Sequence, residues 1–167
     1  MIFKNLTKNF YISSIIIFVI FLLDRISKIY VVNLASKNYS SELFSSKFLN
    51  IYLIWNEGIA FGLLSFGHSN LYNILTSIIA IIIIIVFFMI VRNNNIKKYP
   101  LLMIFGGAIG NLYDRIIFKS VPDFIDFHIG EFHWFIFNVA DIFITLGVIF
   151  MIILEIIFNN KKKYEKI

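Results

Sequence analysis

Residues 71–91 read LYNILTSIIAIIIIIVFFMIV, a stretch of 21 residues without a charge. A helix of that length reaches about 30 Å, the thickness of a bilayer's hydrocarbon core. Three further apolar stretches, 11–32, 100–118 and 135–158, have the same reach but carry charged residues. The pattern predicts a membrane all-α protein of four transmembrane helices. The apolar fraction of 59% and the mean hydropathy of +0.85 point the same way, since soluble domains hold about 45–50% apolar residues. With 167 residues in all, the chain has room for one integral membrane domain and no separate soluble one.

Orientation follows from Lys and Arg near the span ends. Lys4, Lys8, Arg92, Lys97, Lys98, Lys161, Lys162, Lys163 and Lys166 make nine on one side, against Lys37, Lys47 and Lys119, three, on the other. Both termini are therefore expected in the cytoplasm, with residues 33–70 and 119–134 outside. The basic tail reads as a membrane anchor, and no nucleic acid is expected as a partner. The first apolar run is long and no small-residue cleavage site follows it, so it is expected to remain as a permanent span. FLNIYLIWN in the first outer segment alternates loosely and predicts a short strand in a small sheet on the membrane surface; the second outer segment is expected to be a loop. The chain has no cysteine, and His68, His128 and His133 show no metal-ligand spacing, so thiolate chemistry is excluded and no metal or cofactor is expected.

The buried polar residues converge on one depth. Asp24, Arg25 and Lys28 fall in the outer half of the first span; Asn111, Asp114 and Arg115 lie in the last two turns of the third. Asn138 and Asp141 lie in the first two turns of the fourth, and Asp123 in the outer connection before it. A carboxylate in the hydrocarbon core costs about 2.5–3.5 kcal/mol, so such residues face the bundle interior and mark function or paired charge. Asp24 and Lys28 are four apart and can pair on one helical face. Asp114 is expected to pair with Arg115, and Arg25 to snorkel to the interface. Gly106 and Gly110 in GGAIGN form a small-xxx-small pair suited to close helix packing.

Asp123 and Asp141 have no basic residue within a helical turn, which leaves the two carboxylates for one another. Facing carboxylates about 3 Å apart hold a single proton between them, so one acts as base on a water and the other as acid. Residue chemistry alone leaves two alternatives open. One is a small membrane transporter or proton-relay protein, which would want polar residues through the full depth, where the second span has none below Ser77. The other is a structural anchor for a larger complex. Asp126, three residues after Asp123, is not excluded by spacing as the reactive carboxylate.

LLDRISK, WNEGIAFG, GGAIGNLYDR, VPDFIDF and FNVADIFITLG, in this order, resemble the motifs of the lipoprotein signal peptidases (signal peptidase II), across nearly the whole chain. The resemblance implies an intramembrane aspartic endopeptidase of the bacterial inner membrane with four spans and a periplasmic β-cradle. It implies cleavage of diacylglyceryl-modified prolipoproteins before the lipobox cysteine, by a monomer without cofactor, open to cyclic peptide inhibitors of the globomycin type. By motif match Asp123 and Asp141 correspond to the catalytic pair. Asp24, Lys28, Asn56, Gly58, Ala60, Phe61, Asn111, Asp114, Arg115 and Asn138 correspond to residues that support or line the site, and membrane lipid is an expected partner of the protein as a whole. Where the family pattern has Val before the first catalytic Asp, this chain has Pro122.

Overall fold

A computed structural model describes residues 2–58 and 69–164. The elements in chain order are α1 (Ile2–Asn38), β1 (Glu42–Phe44), β2 (Leu49–Asn56), α2 (Ser69–Arg92), α3 (Lys98–Phe118), β3 (Val121–Ile129), β4 (Phe132–Phe137) and α4 (Val139–Tyr164). The helices are long because none of them has a proline beyond its first turn. Pro100 sits in the first turn of α3, where a missing N–H is harmless, and Pro122 near the start of β3.

Among the described residues three helical stretches, Leu71–Arg92, Lys98–Phe118 and Val139–Phe158, are long and apolar enough to cross a membrane, and the span expected in α1 is not one of them. Ile81, Ile82, Ile84, Ile85 and Phe88 of α2 stand about half exposed, as a lipid-facing surface requires. α1 extends well beyond the expected 11–32, to 37 residues, roughly 55 Å of helix. α3 is the hub and packs against each of the other three helices. Its glycines set the distances. A Cβ on Gly107 would lie 2.5 Å from the Ala140 carbonyl oxygen of α4, and one on Gly110 would lie 2.5 Å from an Asp24 carboxylate oxygen of α1. At the other end of the bundle Ile90, Leu101 and Leu102 form a buried cluster with Ile16, Ile17, Val86, Phe105 and Met151 around it.

The sheet differs from expectation. The connection between α3 and α4 is no loop but the hairpin β3–β4, and it joins the first outer segment in one four-stranded antiparallel sheet of order β1-β2-β3-β4. The expected start of the last helix at residue 135 is therefore wrong: Phe135–Phe137 belong to β4, and α4 begins at Val139. The hairpin turns on Gly130, at φ +58°, the positive φ that two-residue hairpin turns need. Pairing of β2 with β3 places Asn56 opposite Val121 and Ile54 opposite Asp123. The first residues of β3 are thereby fixed against the last residues of β2.

Candidate active site

Four charged side chains link α1 to α3. The Lys28 ammonium lies 2.9 Å from Asp24 Oδ1 and donates to Asn111 Oδ1 at 2.8 Å and Asp114 Oδ2 at 2.7 Å. Its three N–H groups thus meet three acceptors. The Arg25 guanidinium grips Asp114 through two parallel bonds of 2.5 and 2.6 Å, and also donates to Asp24 Oδ2 at 2.8 Å. The Tyr113 ring lies 4.9 Å from its central carbon. Two cations and two anions leave the group neutral. Lys28 is 2% exposed and both aspartates 0%. Burying ions is tolerable only with close pairing of this kind, although the Arg25 Nε is left buried without a hydrogen-bond partner among the described residues.

The pairing departs from expectation in two places. Asp114 pairs with Arg25 and Lys28 rather than with Arg115, because successive residues on a helix point about 100° apart. Arg25 does not snorkel; it supplies the bidentate partner across the helix interface. Depth alone did not single out Arg25, because Lys28 on the same helix shares it and also pairs with Asp114. Arg115 instead donates to the backbone oxygens of Asn111 at 3.3 Å and Gly58 at 3.0 Å, which ties the residue two places after β2 to α3. α2 joins through the Tyr72 hydroxyl, a donor to the Arg115 carbonyl at 3.2 Å.

From this base the network runs outward to two further carboxylates. Asn111 Nδ2 donates to Asp141 Oδ1 at 2.8 Å. Asn138 caps α4: its Oδ1 accepts from the Asp141 N–H and its own N–H donates to Asp141 Oδ2, both at 3.1 Å, a reciprocal capping box. Asp24 Oδ1 accepts from the Ala140 N–H at 3.1 Å, so the first turn of α4 is held from α1 as well. The Asn138 amide donates to Asp123 Oδ1 at 2.6 Å, and Asn56 Nδ2 donates to Asp123 Oδ2 at 2.8 Å. Asn138 therefore touches both carboxylates, one through its side chain and one through its backbone.

Asp123 and Asp141 line one small cleft with Asn56, Asn111, Arg115, Val121, Ile136 and Asn138, about 30 Å³ in volume. That is room for about one water. Burial and the neighbouring Asp141 charge raise the Asp123 carboxyl from 3.8 to about 6, against the opposing hydrogen bonds from Asn56 and Asn138 and the Lys28 charge. Beyond Asp141 lies an apolar groove of about 200 Å³ lined by Phe135, Phe137, Ile142, Thr145 and Leu146.

Of the residues singled out in the sequence, Asp24, Lys28, Asn56, Gly58, Asn111, Asp114, Arg115, Asp123, Asn138 and Asp141 are joined in this one network. Ala60 and Phe61 lie outside the described residues. Asp126 is not part of it. Three residues from Asp123 on the same strand, it faces the other side of the sheet, where Asn50 and His133 hold it.

The family model described as Signal peptidase (SPase) II matches residues 16–158. A lipoprotein signal peptidase of Pelagibacter ubique is 53% identical over 159 residues, covering 95% of this chain and 96% of the relative. One from Anaplasma marginale is 36% identical, covering 92% and 89%. A solved bacterial membrane enzyme, determined by the in meso method at 2.3 Å, superimposes with a TM-score of 0.69 at 29% identity over 90% of each chain.

Proposed function

Because the chain belongs to the signal peptidase II family, a family of proteases, we propose that it is an aspartic endopeptidase with Asp123 and Asp141 as its catalytic pair. Its substrates are diacylglyceryl-modified bacterial prolipoproteins, cut before the lipobox cysteine. The observation that carries this reading is that two carboxylates, one from β3 and one from the first turn of α4, line a single cleft with room for one water. Family membership sets aside the alternative of a transporter or proton relay.

The chemistry runs as follows. The ionised carboxylate takes a proton from the water while its oxygen attacks the scissile carbonyl carbon. The protonated carboxyl gives its proton to the carbonyl oxygen, forming a neutral gem-diol. In the second half the newly protonated carboxyl delivers its proton to the cysteine nitrogen, the C–N bond breaks, and the other carboxylate recovers a proton from the diol. Protons balance over the cycle, and the titration belongs to the pair rather than to either residue.

The remaining residues hold this arrangement. Asn138, Asn111 and Asn56 donate one bond to each of the four carboxylate oxygens, and each oxygen keeps further acceptor capacity for water or substrate. The paired Asp24, Arg25, Lys28 and Asp114 anchor Asn111 and the start of α4. The Nε of Arg115 is buried without a partner among the described residues, and a substrate carbonyl supplies the missing acceptor. The apolar groove beside Asp141 suits an apolar substrate segment, and the acyl chains of the substrate remain in lipid. Anchoring in the bilayer then fixes the depth of the scissile bond, which lowers the entropic part of the barrier. In this reading the site lies near the periplasmic face of the inner membrane, on a monomer of four spans with both termini in the cytoplasm and the sheet outside, as the positive-inside bias supports. Cyclic peptides of the globomycin type are expected to compete with substrate.

A gel-shift cleavage assay on a diacylglyceryl-modified prolipoprotein tests the assignment. Asp123→Asn and Asp141→Asn, each shown to fold, should lose cleavage by about a thousandfold or more, the scale of removing an acid–base group. Asp126→Asn should stay within about tenfold of the unmodified enzyme. Full activity in either dyad variant overturns the assignment, and equal cleavage of delipidated substrate overturns the anchoring argument.

A further inference from the structure

The β3–β4 hairpin carries a second cluster, on the face of the sheet away from the cleft, that the peptidase reading does not use. Strand pairing sets His128 directly opposite His133, and the two rings stack with centroids 4.9 Å apart. Asp126 lies two residues before His128, on the same face of the strand, and its buried carboxylate comes 2.9 Å from His133 Nδ1. Each of the three offers one ligand atom, and these atoms lie within 4.8 Å of one another. The sequence spacing hides this grouping, because a hairpin rather than a helix or a short loop brings the histidines together.

Two observations point to a ligand. His128 Nδ1 is buried and has no hydrogen-bond partner among the described residues; an unsatisfied buried polar atom costs about 1–3 kcal/mol. The Asp126 carboxylate is also braced from behind: Asn50 Nδ2 donates to it at 3.2 Å, and Ser45 holds the Asn50 amide oxygen at 2.9 Å. The His133 side chain, 53% exposed, leaves a path for an ion from water and a place for water ligands.

We propose that Asp126, His128 and His133 bind a divalent transition-metal ion of the zinc type, with water completing its shell. One carboxylate and two imidazoles suit zinc, nickel, copper or cobalt, whereas calcium and magnesium require a cage of oxygens. Ligand atoms around zinc lie about 4 Å apart at most, so the three side chains close slightly on the ion, the exposed His133 ring moving furthest. The proton between His133 and Asp126 leaves to solvent on binding. The bound ion clips β3 to β4 near the hairpin tip and stiffens the strand that carries Asp123.

The test uses the full chain in detergent, purified without a histidine tag and stripped with EDTA. Zinc chloride titrated calorimetrically against it, in excess magnesium, should show one ion per chain and raise the unfolding temperature. His133→Ala and Asp126→Asn should each weaken binding at least tenfold, and His133→Ala should abolish the thermal shift. Cobalt added to the unsubstituted protein should give a visible absorption band that His128→Ala loses. Should His128→Ala fail to fold, the exposed His133→Gln carries the same comparison. No zinc uptake by the unsubstituted protein overturns the proposal, and so does uptake that the His133 variants leave unchanged; the residues are then a stacked pair with a hydrogen-bonded carboxylate.

Discussion

Asp123 sits at a crossing of opposed forces. Burial and the Asp141 charge disfavour its ionised form more than two asparagine amides and Lys28 favour it, and its carboxyl rises from 3.8 to about 6. The penalty on the charged form is on the order of 3 kcal/mol. Since the folded state holds this proton more tightly than the unfolded chain, the stability that the proton contributes is full below pH 3.8 and is lost as pH rises through about 6. Replacing Asp123 by Asn removes that titration. The unfolding free energies of the two proteins, compared in detergent at pH 4 and pH 7, should therefore diverge. The difference should move in favour of Asp123→Asn by up to about 3 kcal/mol at the higher pH. A constant difference between the two pH values would show that Asp123 carries no raised affinity for its proton. The same penalty is what keeps a carboxylic acid available near neutral pH for proton donation.

Between elements, the strongest coupling joins α1 to α3 through Asp24, Arg25, Lys28 and Asp114. Removing one member leaves an unpaired buried charge, at about 3–5 kcal/mol. Lys28→Met should lower stability by that amount, whereas the neutral double variant Asp24→Asn with Lys28→Met should lose much less than the sum of its two single changes. A double-mutant cycle in detergent measures the coupling directly, and additive single effects would mean that the four charges do not act as a unit. How much of this was legible depends on locality. The Asp24–Lys28 pair could be read off because it lies within one helical turn. Arg25 with Asp114 could not, because the partner comes from a helix 89 residues away in sequence. The helices and the strand FLNIYLIWN follow from runs and alternation within single segments. The β3–β4 hairpin was missed because β3 mixes Asp and apolar residues on both faces and so lacks a clean alternation. Its pairing with β2 also joins positions such as Asn56 and Asp123, 67 residues apart. The Gly130 turn between two aromatic runs was the one local sign of it.

Across the whole molecule, the polar network occupies one end of the bundle and the apolar cluster around Leu102 lies toward the other. The helices give this division its direction. The outer sheet is built from two segments that the chain visits on either side of α2 and α3, so both must emerge on the same face of the membrane for β2 to pair with β3. The even number of crossings between them, α2 and α3, satisfies that requirement. In the proposed topology the loop after α2 lies opposite, with Arg92, Lys97 and Lys98 close by, and the positive-inside bias assigns it to the cytoplasm. The absence of cysteine makes the orientation simple to measure, because each introduced thiol is the only one in the chain. Ser45 and Asn94 are both exposed and lie on opposite sides of the proposed topology. In spheroplasts, a membrane-impermeant maleimide should label Ser45→Cys at once and reach Asn94→Cys only after the membrane is permeabilised. Labelling of Asn94→Cys alone in intact spheroplasts would invert the topology. It would also move the cleft to the cytoplasmic face, where an exported prolipoprotein could not present its lipid-anchored bond.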